Sequence, residues 1–363
     1  MDNGKRLYNQ VTFLLAVMGI IMMTLLTVYD PVRVVSERIK ETGTKNVVAA
    51  SLAQDEVWIS GETVGLYLET QGVLVVDTGE IVTSDGSKKN PAKNLVKSGD
   101  YIVAVNNREI SGKQELIQDL SELDSDEVIL SIRRNGEMIP VSVKPVLDAG
   151  GKYKLGLWVR DDTQGVGTLT YIDRDGNYGA LGHGISDVDT GELLDIENGD
   201  LYRAEVIGIQ KGSRGNPGEI AGMIRYSPSN IIGNVNQNTE NGIYGVYDLD
   251  KIRNNFRQVT VGSKEEIKEG PAGIFCSIDG NAREYQAEIT QINWDSRDSN
   301  KSFVIQVTDE ALLELTGGIL RGMSGSPIIQ NGKLVGAVTH VFVNDPTKGY
   351  GIFIENMLDA AEQ

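Results

Sequence analysis

The sequence predicts a mainly β protein of two folded domains, and three observations carry that reading. At 363 residues the chain is too long for one small core. It holds 42 glycines against 6 phenylalanines. Its apolar stretches are short and are cut repeatedly by Asp-Gly, Asn-Gly and Ser-Gly pairs, which supply the tight turns that adjacent strands need.

In chain order, residues 1–10 form a flank carrying Lys5 and Arg6. Residues 11–28 are apolar apart from Thr12, Thr24 and Thr27 and carry no charge, so as a helix they just span a hydrocarbon core of about 30 Å. Tyr29-Asp30-Pro31-Val32 follows directly, with no small-x-small cleavage pattern, which favours an uncleaved signal anchor over a removable signal. Lys5 and Arg6 on one side face Arg33, Arg38 and Lys40 on the other, so charge bias does not set the orientation. The short leading flank and the bulk of chain that follows put the C-terminal portion outside the cytoplasm. Residues 29–57 are mixed, charged and unpatterned and read as a juxtamembrane spacer open to proteolysis.

Residues 58–147 read as a first, α+β domain. Ser60 to Leu68 and Val73 to Val76 make strand, glycine turn and strand. Leu116, Ile117, Leu120 and Leu123 fall on one stripe of a helix over 114–123, and strands on either side of Asn135-Gly136 form a hairpin. With the run Gly99-Asp100-Tyr101-Ile102-Val103-Ala104-Val105-Asn106, this order resembles a PDZ domain. Such domains add a peptide end as a strand beside a glycine-containing loop. By that resemblance Gly65, Leu66, Tyr67 and Leu68 are the candidate peptide-binding loop.

Beyond the Asp148-Ala149-Gly150-Gly151 break, residues 151–363 continue as short β-like segments, a length suited to a double barrel. A hairpin turn at Arg174-Asp175-Gly176-Asn177 precedes Gly182-His183-Gly184, so His183 leaves a strand end between glycines that permit close approach. His340, the other histidine, falls inside the apolar strand 334–343. Gly322-Met323-Ser324-Gly325-Ser326-Pro327 supplies a nucleophile candidate. A serine hydroxyl needs a base to take its proton, and the oxyanion it creates needs uncovered backbone N–H groups. Gly322 and Ser324 would supply those donors. Trypsin-like proteases present their serine in a similar Gly-x-Ser-Gly-x-Pro run, with histidine first and the acid between it and the serine. Asp187, Asp189, Asp195, Asp279, Asp295 and Asp309 all lie between, and spacing alone does not choose among them.

Composition excludes other chemistries. A formal charge of −17 repels nucleic-acid phosphates. One cysteine, Cys276, sits in an apolar run and suits a buried core position; with two histidines in the chain, a structural zinc site is excluded and no metal is expected. The proposed acyl transfer needs no cofactor.

The whole chain resembles the SpoIVB family of sporulation peptidases, on the runs Leu155-Gly156-Leu157-Trp158-Val159-Arg160-Asp161, Gly179 to Ile185 and Gly317 to Pro327. That resemblance implies an N-terminal anchor, a PDZ domain and a chymotrypsin-like double β-barrel. It also implies His183 as general base, Ser324 as nucleophile and Asp309 as the acidic residue. It implies a regulatory serine endopeptidase in the space between the two membranes of a developing spore, tethered or released by cutting itself. Its second substrate would be the extracytoplasmic part of a membrane protein that restrains an intramembrane metalloprotease, so that a sigma factor precursor is processed. The competing expectation is a tethered PDZ adaptor whose protease-like domain is inert.

Overall fold

The computed structural model describes residues 56–123, 126–294 and 299–362. The expected flank, the expected membrane span and the spacer up to residue 55 lie outside these residues. Among the described residues no helix is long and apolar enough to cross a membrane.

Strand β1 (Glu56–Ile59) already belongs to the folded core, so the spacer ends before Glu56. After it, β2 (Thr63–Thr78) is a long strand with two halves. Its first half buries Val64, Leu66 and Leu68 at alternate positions, the pattern of a strand with one face on a core. Gly72, at φ 91°, lies so close to the Ile102 carbonyl that a side chain there would collide, and it marks the crossing into a second unit. That unit holds β3 (Tyr101–Val105), α1 (Lys113–Ser121), β4 (Val128–Arg134) and β5 (Glu137–Val143). Asn135 and Gly136 both take positive φ between β4 and β5, as a two-residue hairpin loop demands. Val73, Val75, Ile102, Leu116, Leu130 and Ile132 lie in its core. The chain returns along β6 (Leu157–Ile172), which pairs antiparallel with β2 from Leu157↔Thr78 to Thr168↔Thr63.

The PDZ-like unit is therefore an insertion in one long β2–β6 hairpin, not a domain that begins at residue 58. Its outer ends, Thr63–Thr70 and Asp162–Ile172, are barrel strands. With β7 (Asn177–Ala180), β8 (Ile196–Gln210), β9 (Glu219–Ile224), β10 (Ile231–Val235) and β11 (Gly242–Val246) the first barrel is complete. Its circuit runs β2–β6–β7–β11–β10–β8 and back to β2. Closure leaves no open edge. Leu66, Leu169, Tyr178, Leu201 and Ile243 fill it.

The second barrel follows β12 (Arg257–Val261). It is built from β13 (Gly270–Cys276), β14 (Arg283–Ile292), β15 (Phe303–Val307), β16 (Pro327–Gln330), β17 (Lys333–Val341) and β18 (Lys348–Phe353). Antiparallel ladders close it in the order β13–β14–β15–β18–β17–β16. Helix α2 (Glu310–Thr316) lies before β16, and α3 (Ile354–Ala361) ends the described chain. β1 pairs with β12 and at Trp58 with β6, while β12 pairs with β17, so this ribbon ties the barrels together. Cys276 is buried, as the sequence implied, and burial pushes its thiol well up.

Candidate active site

His183 reaches the site through a sharp turn at the end of β7. Leu181 and Gly182 are consecutive left-handed residues, at φ 68° and 70°. A buried leucine in that region is strained, and the first barrel's core holds it there. Gly182 is seated on the second barrel: a Cβ on it would stand 2.9 Å from Ile352 and 3.0 Å from Thr339. Asn238 clamps the loop beyond, accepting from the Ile185 N–H and donating to the Ile185 and Leu194 carbonyls, each at 2.8 Å. The His183 Nδ1 lies 2.8 Å from the Gly184 carbonyl. A carbonyl only accepts, so Nδ1 carries the proton and Nε2 keeps its lone pair. Burial pushes the imidazole below its ordinary pKa, partly offset by that hydrogen bond.

Ser324 is positioned from both sides of its turn. Helix α2 ends at Gly317 in the left-handed region, and the chain then passes Arg321, whose backbone is gripped by the β8–β9 ribbon. Arg321 N–H donates to Gly218 and its carbonyl accepts from Ile220, both at 2.9 Å. Thr168 donates through its hydroxyl to the Gly322 carbonyl and through its N–H to the Ser324 carbonyl, at 2.8 and 2.9 Å. Gly325 donates to Val338 at 2.7 Å, and at φ 94° a side chain on it would strike the Thr168 carbonyl. With those carbonyls tied down, the N–H groups of Gly322 and Ser324 have no hydrogen-bond partner among the described residues. They are the pair the sequence named as oxyanion donors.

Nucleophile and base candidates meet on β17. The Ser324 hydroxyl donates to the Thr339 carbonyl at 2.7 Å, and the ring of the next residue, His340, lies 4.9 Å from the His183 ring, tilted by 35°. No hydrogen bond joins Ser324 to His183 among the described residues, and the serine hydroxyl is engaged by the Thr339 carbonyl instead. Sequence reasoning missed His340, because β17 is buried along most of its length and gives no alternation that would aim this ring at a site. The scarcity of histidine was the available signal.

Asp309 does not take the orienting role that the resemblance implied. Its Oδ1 accepts from the Leu312 N–H at 3.0 Å, capping α2, and its Oδ2 accepts from the Gln286 N–H at 3.2 Å. A carboxylate directly before a short helix satisfies an amide left orphaned at the helix start, and this one is engaged there rather than at His183. Asp187 and Asp189 engage Arg160, Asp195 engages Arg133 and Asp279 engages Arg283; Asp295 lies outside the described residues.

The peptide-loop assignment to Gly65, Leu66, Tyr67 and Leu68 is also corrected. These residues are in mid-strand in β2, paired with Thr163–Val166 on one edge and Gly199–Tyr202 on the other. With both edges filled, no added strand fits. An open groove lies elsewhere, between α1 and the start of β6. Leu157 to Arg160 pair on one edge alone, Gly156 turns at φ 70°, and Leu116, Ile117, Leu120 and Trp158 line a groove of about 740 Å³. The Leu155-Gly156-Leu157 run in the sequence was the signal for it.

No curated protein matches the chain in sequence. Among solved structures it is similar to the PDZ domain of the SdrC-like protein from Listeria monocytogenes, at 21% identity over 24% of this chain and 87% of that one, with a TM-score of 0.20. The active form of the Rv3671c protease from M. tuberculosis is 18% identical over 54% of this chain and 74% of that one, with a TM-score of 0.30. The HtrA-type protease AlgW with decapeptide is 12% identical over 86% of this chain and 65% of that one, with a TM-score of 0.32. A sequence model of the SpoIVB peptidase S55 family matches residues 151–358, more than half the chain and the stretch that carries both His183 and Ser324. The chain belongs to the SpoIVB peptidase S55 family and is a serine endopeptidase.

Proposed function

We propose that Ser324 is the nucleophile and His183 the base of this endopeptidase, with no carboxylate on the histidine among the described residues. The observation that carries the reading is the serine turn itself: two unpartnered N–H groups, of Gly322 and Ser324, flank a hydroxyl held 2.7 Å from Thr339 beside the His183 loop. In the reaction the Ser324 hydroxyl leaves the Thr339 carbonyl and passes its proton to His183 Nε2 while Oγ bonds the substrate carbonyl carbon. The carbonyl oxygen, now negative, takes hydrogen bonds from Gly322 and Ser324. His183 then gives the proton to the departing amine, leaving an acyl-enzyme. A water, losing its proton to His183, attacks the acyl carbon; the proton returns to Ser324 as the acid product leaves.

The regulatory role follows the family: an enzyme of spore formation, anchored by residues 11–28 with its catalytic part extracytoplasmic. It cuts itself in the spacer and cuts the extracytoplasmic part of a membrane protein that restrains an intramembrane metalloprotease. The groove between α1 and β6 receives an extended peptide as an added strand, with Gly156 at its carboxylate end. Mass spectrometry of the full chain and of Ser324→Ala tests both levels. Fragments present in the first and absent in the second support self-cleavage, and fragments common to both overturn it.

A further inference from the structure

We propose that His340 is a positioning residue of the peptidase, its ring holding the His183 ring in the plane from which Nε2 reaches the Ser324 hydroxyl; this rests on the reading of Ser324 and His183 above. A base must be fixed in place, tautomer and ring plane. Asn238 and the seat of Gly182 fix its place, and the Gly184 carbonyl fixes its tautomer. One hydrogen bond to an adjoining carbonyl does not by itself fix the ring plane, and no carboxylate among the described residues gives the third constraint that an orienting acid usually supplies. His340 from β17 stacks near this ring and the Gly184 carbonyl from its own loop bonds it, with no carboxylate, lysine or arginine acting on it among the described residues.

His340 is built to supply that constraint. A 4.9 Å separation lies within the range in which aromatic rings attract. Its neighbour Thr339 is anchored by donating to the Asn300 carbonyl at 2.8 Å and to that of Tyr350 at 3.2 Å. One dipeptide thus touches both reacting residues: the Thr339 carbonyl holds the Ser324 hydroxyl and the His340 ring flanks the His183 ring. The same ring keeps water from one side of the base, in keeping with the lowered His183 pKa.

The test is the second-order rate at which a fluorophosphonate labels Ser324 in the full chain, followed through the histidine titration range. His340→Ala should label at least about 10-fold more slowly, since small misplacements of a reacting group are expensive. Its pH midpoint should move up toward the ordinary histidine value as the uncovered ring face meets water. His340→Phe, which keeps a flat ring, should recover most of the rate. Wild-type labelling by His340→Ala, or a rate for His340→Phe as low as for the alanine variant, overturns the proposal. Should His340→Ala not fold, as read by thermal unfolding, His340→Leu replaces it: slower labelling than His340→Phe supports the proposal and an equal rate overturns it. A wild-type chain that does not label at Ser324 overturns the nucleophile reading instead, so the two failures are distinguishable.

Discussion

Arg160 ion-pairs with Asp187, joining the strand that lines the groove beside α1 to the loop that carries His183. Asp187 is buried, and its Oδ1 also accepts from the N–H groups of Asp189 and Thr190, each at 3.0 Å. Arg160 holds Asp189 as well, at 2.8 Å. The carboxylate pKa is lowered by these amides and by Arg160 despite the opposing effect of burial.

Removing Arg160 strands a buried carboxylate. Arg160→Ala should lower stability by about 1–3 kcal/mol, below the full cost of breaking a buried pair because the guanidinium is partly exposed. The Asp187 contribution has a sign. Its folded pKa lies below the unfolded value, so its stabilisation is present above the unfolded carboxylate pKa and is lost as pH falls through the folded one. Thermal melts of wild type and Arg160→Ala should therefore converge under acid. Curves that stay equally far apart at every pH would remove this account.

Asp309 gives the sharpest contrast between a catalytic and a capping acid. As a cap with a second bond to Gln286, its loss in Asp309→Ala should cost about 1–2 kcal/mol and slow Ser324 labelling only modestly, through the segment after α2. Asp309→Ser, which still caps, should restore most of the stability and the rate. An orienting carboxylate would instead cost about 10⁴-fold, and serine would not rescue it. Labelling rates of the two variants decide.

Local signals carried much of this molecule, and contacts between distant parts carried the rest. Asn135-Gly136, the turn at Asp175-Gly176 and the stripe of Leu116, Ile117, Leu120 and Leu123 each encode their element within a few residues; both hairpins formed at their turns, while the helix spans Lys113–Ser121 with Leu116 and Leu120 buried and Ile117 exposed. Gly322 and Gly325 needed positive φ, which glycine advertises. What the sequence concealed is pairing at long range. Gly65 to Leu68 look like a free glycine loop until Thr163–Val166 and Gly199–Tyr202 fill both edges. The ring contact of His340 with His183 joins two barrels, and no periodicity reports it.

The lowered His183 pKa makes a prediction about activity. With the neutral ring as the proposed base, Ser324 labelling should hold to lower pH than an ordinary histidine permits, with its acid midpoint below about 6.5. The stability sign is opposite to that of a paired histidine. The unfolded chain binds the proton more readily, so this contribution is full above the ordinary value and declines as pH falls through it. A midpoint above the ordinary value would mean a charge acts on His183 in solution.

The relocated groove is tested by separating binding from catalysis. Ile117 is exposed on α1 and Trp158 on β6, both at the groove and away from the serine turn. A peptide with an apolar, free C-terminus should quench or enhance Trp158 fluorescence on binding, and Trp158→Phe should remove the response. Ile117→Glu sets a charge where an apolar side chain would rest and should weaken binding about 10-fold, which is about 1.4 kcal/mol. Unfolding temperature and basal Ser324 labelling should not change, since Ile117 supports neither core nor serine turn. Tyr67→Phe should bind as wild type, because Tyr67 stands in a strand paired on both edges. Loss of binding in Tyr67→Phe but not in Ile117→Glu would return the ligand to β2 and refute the groove.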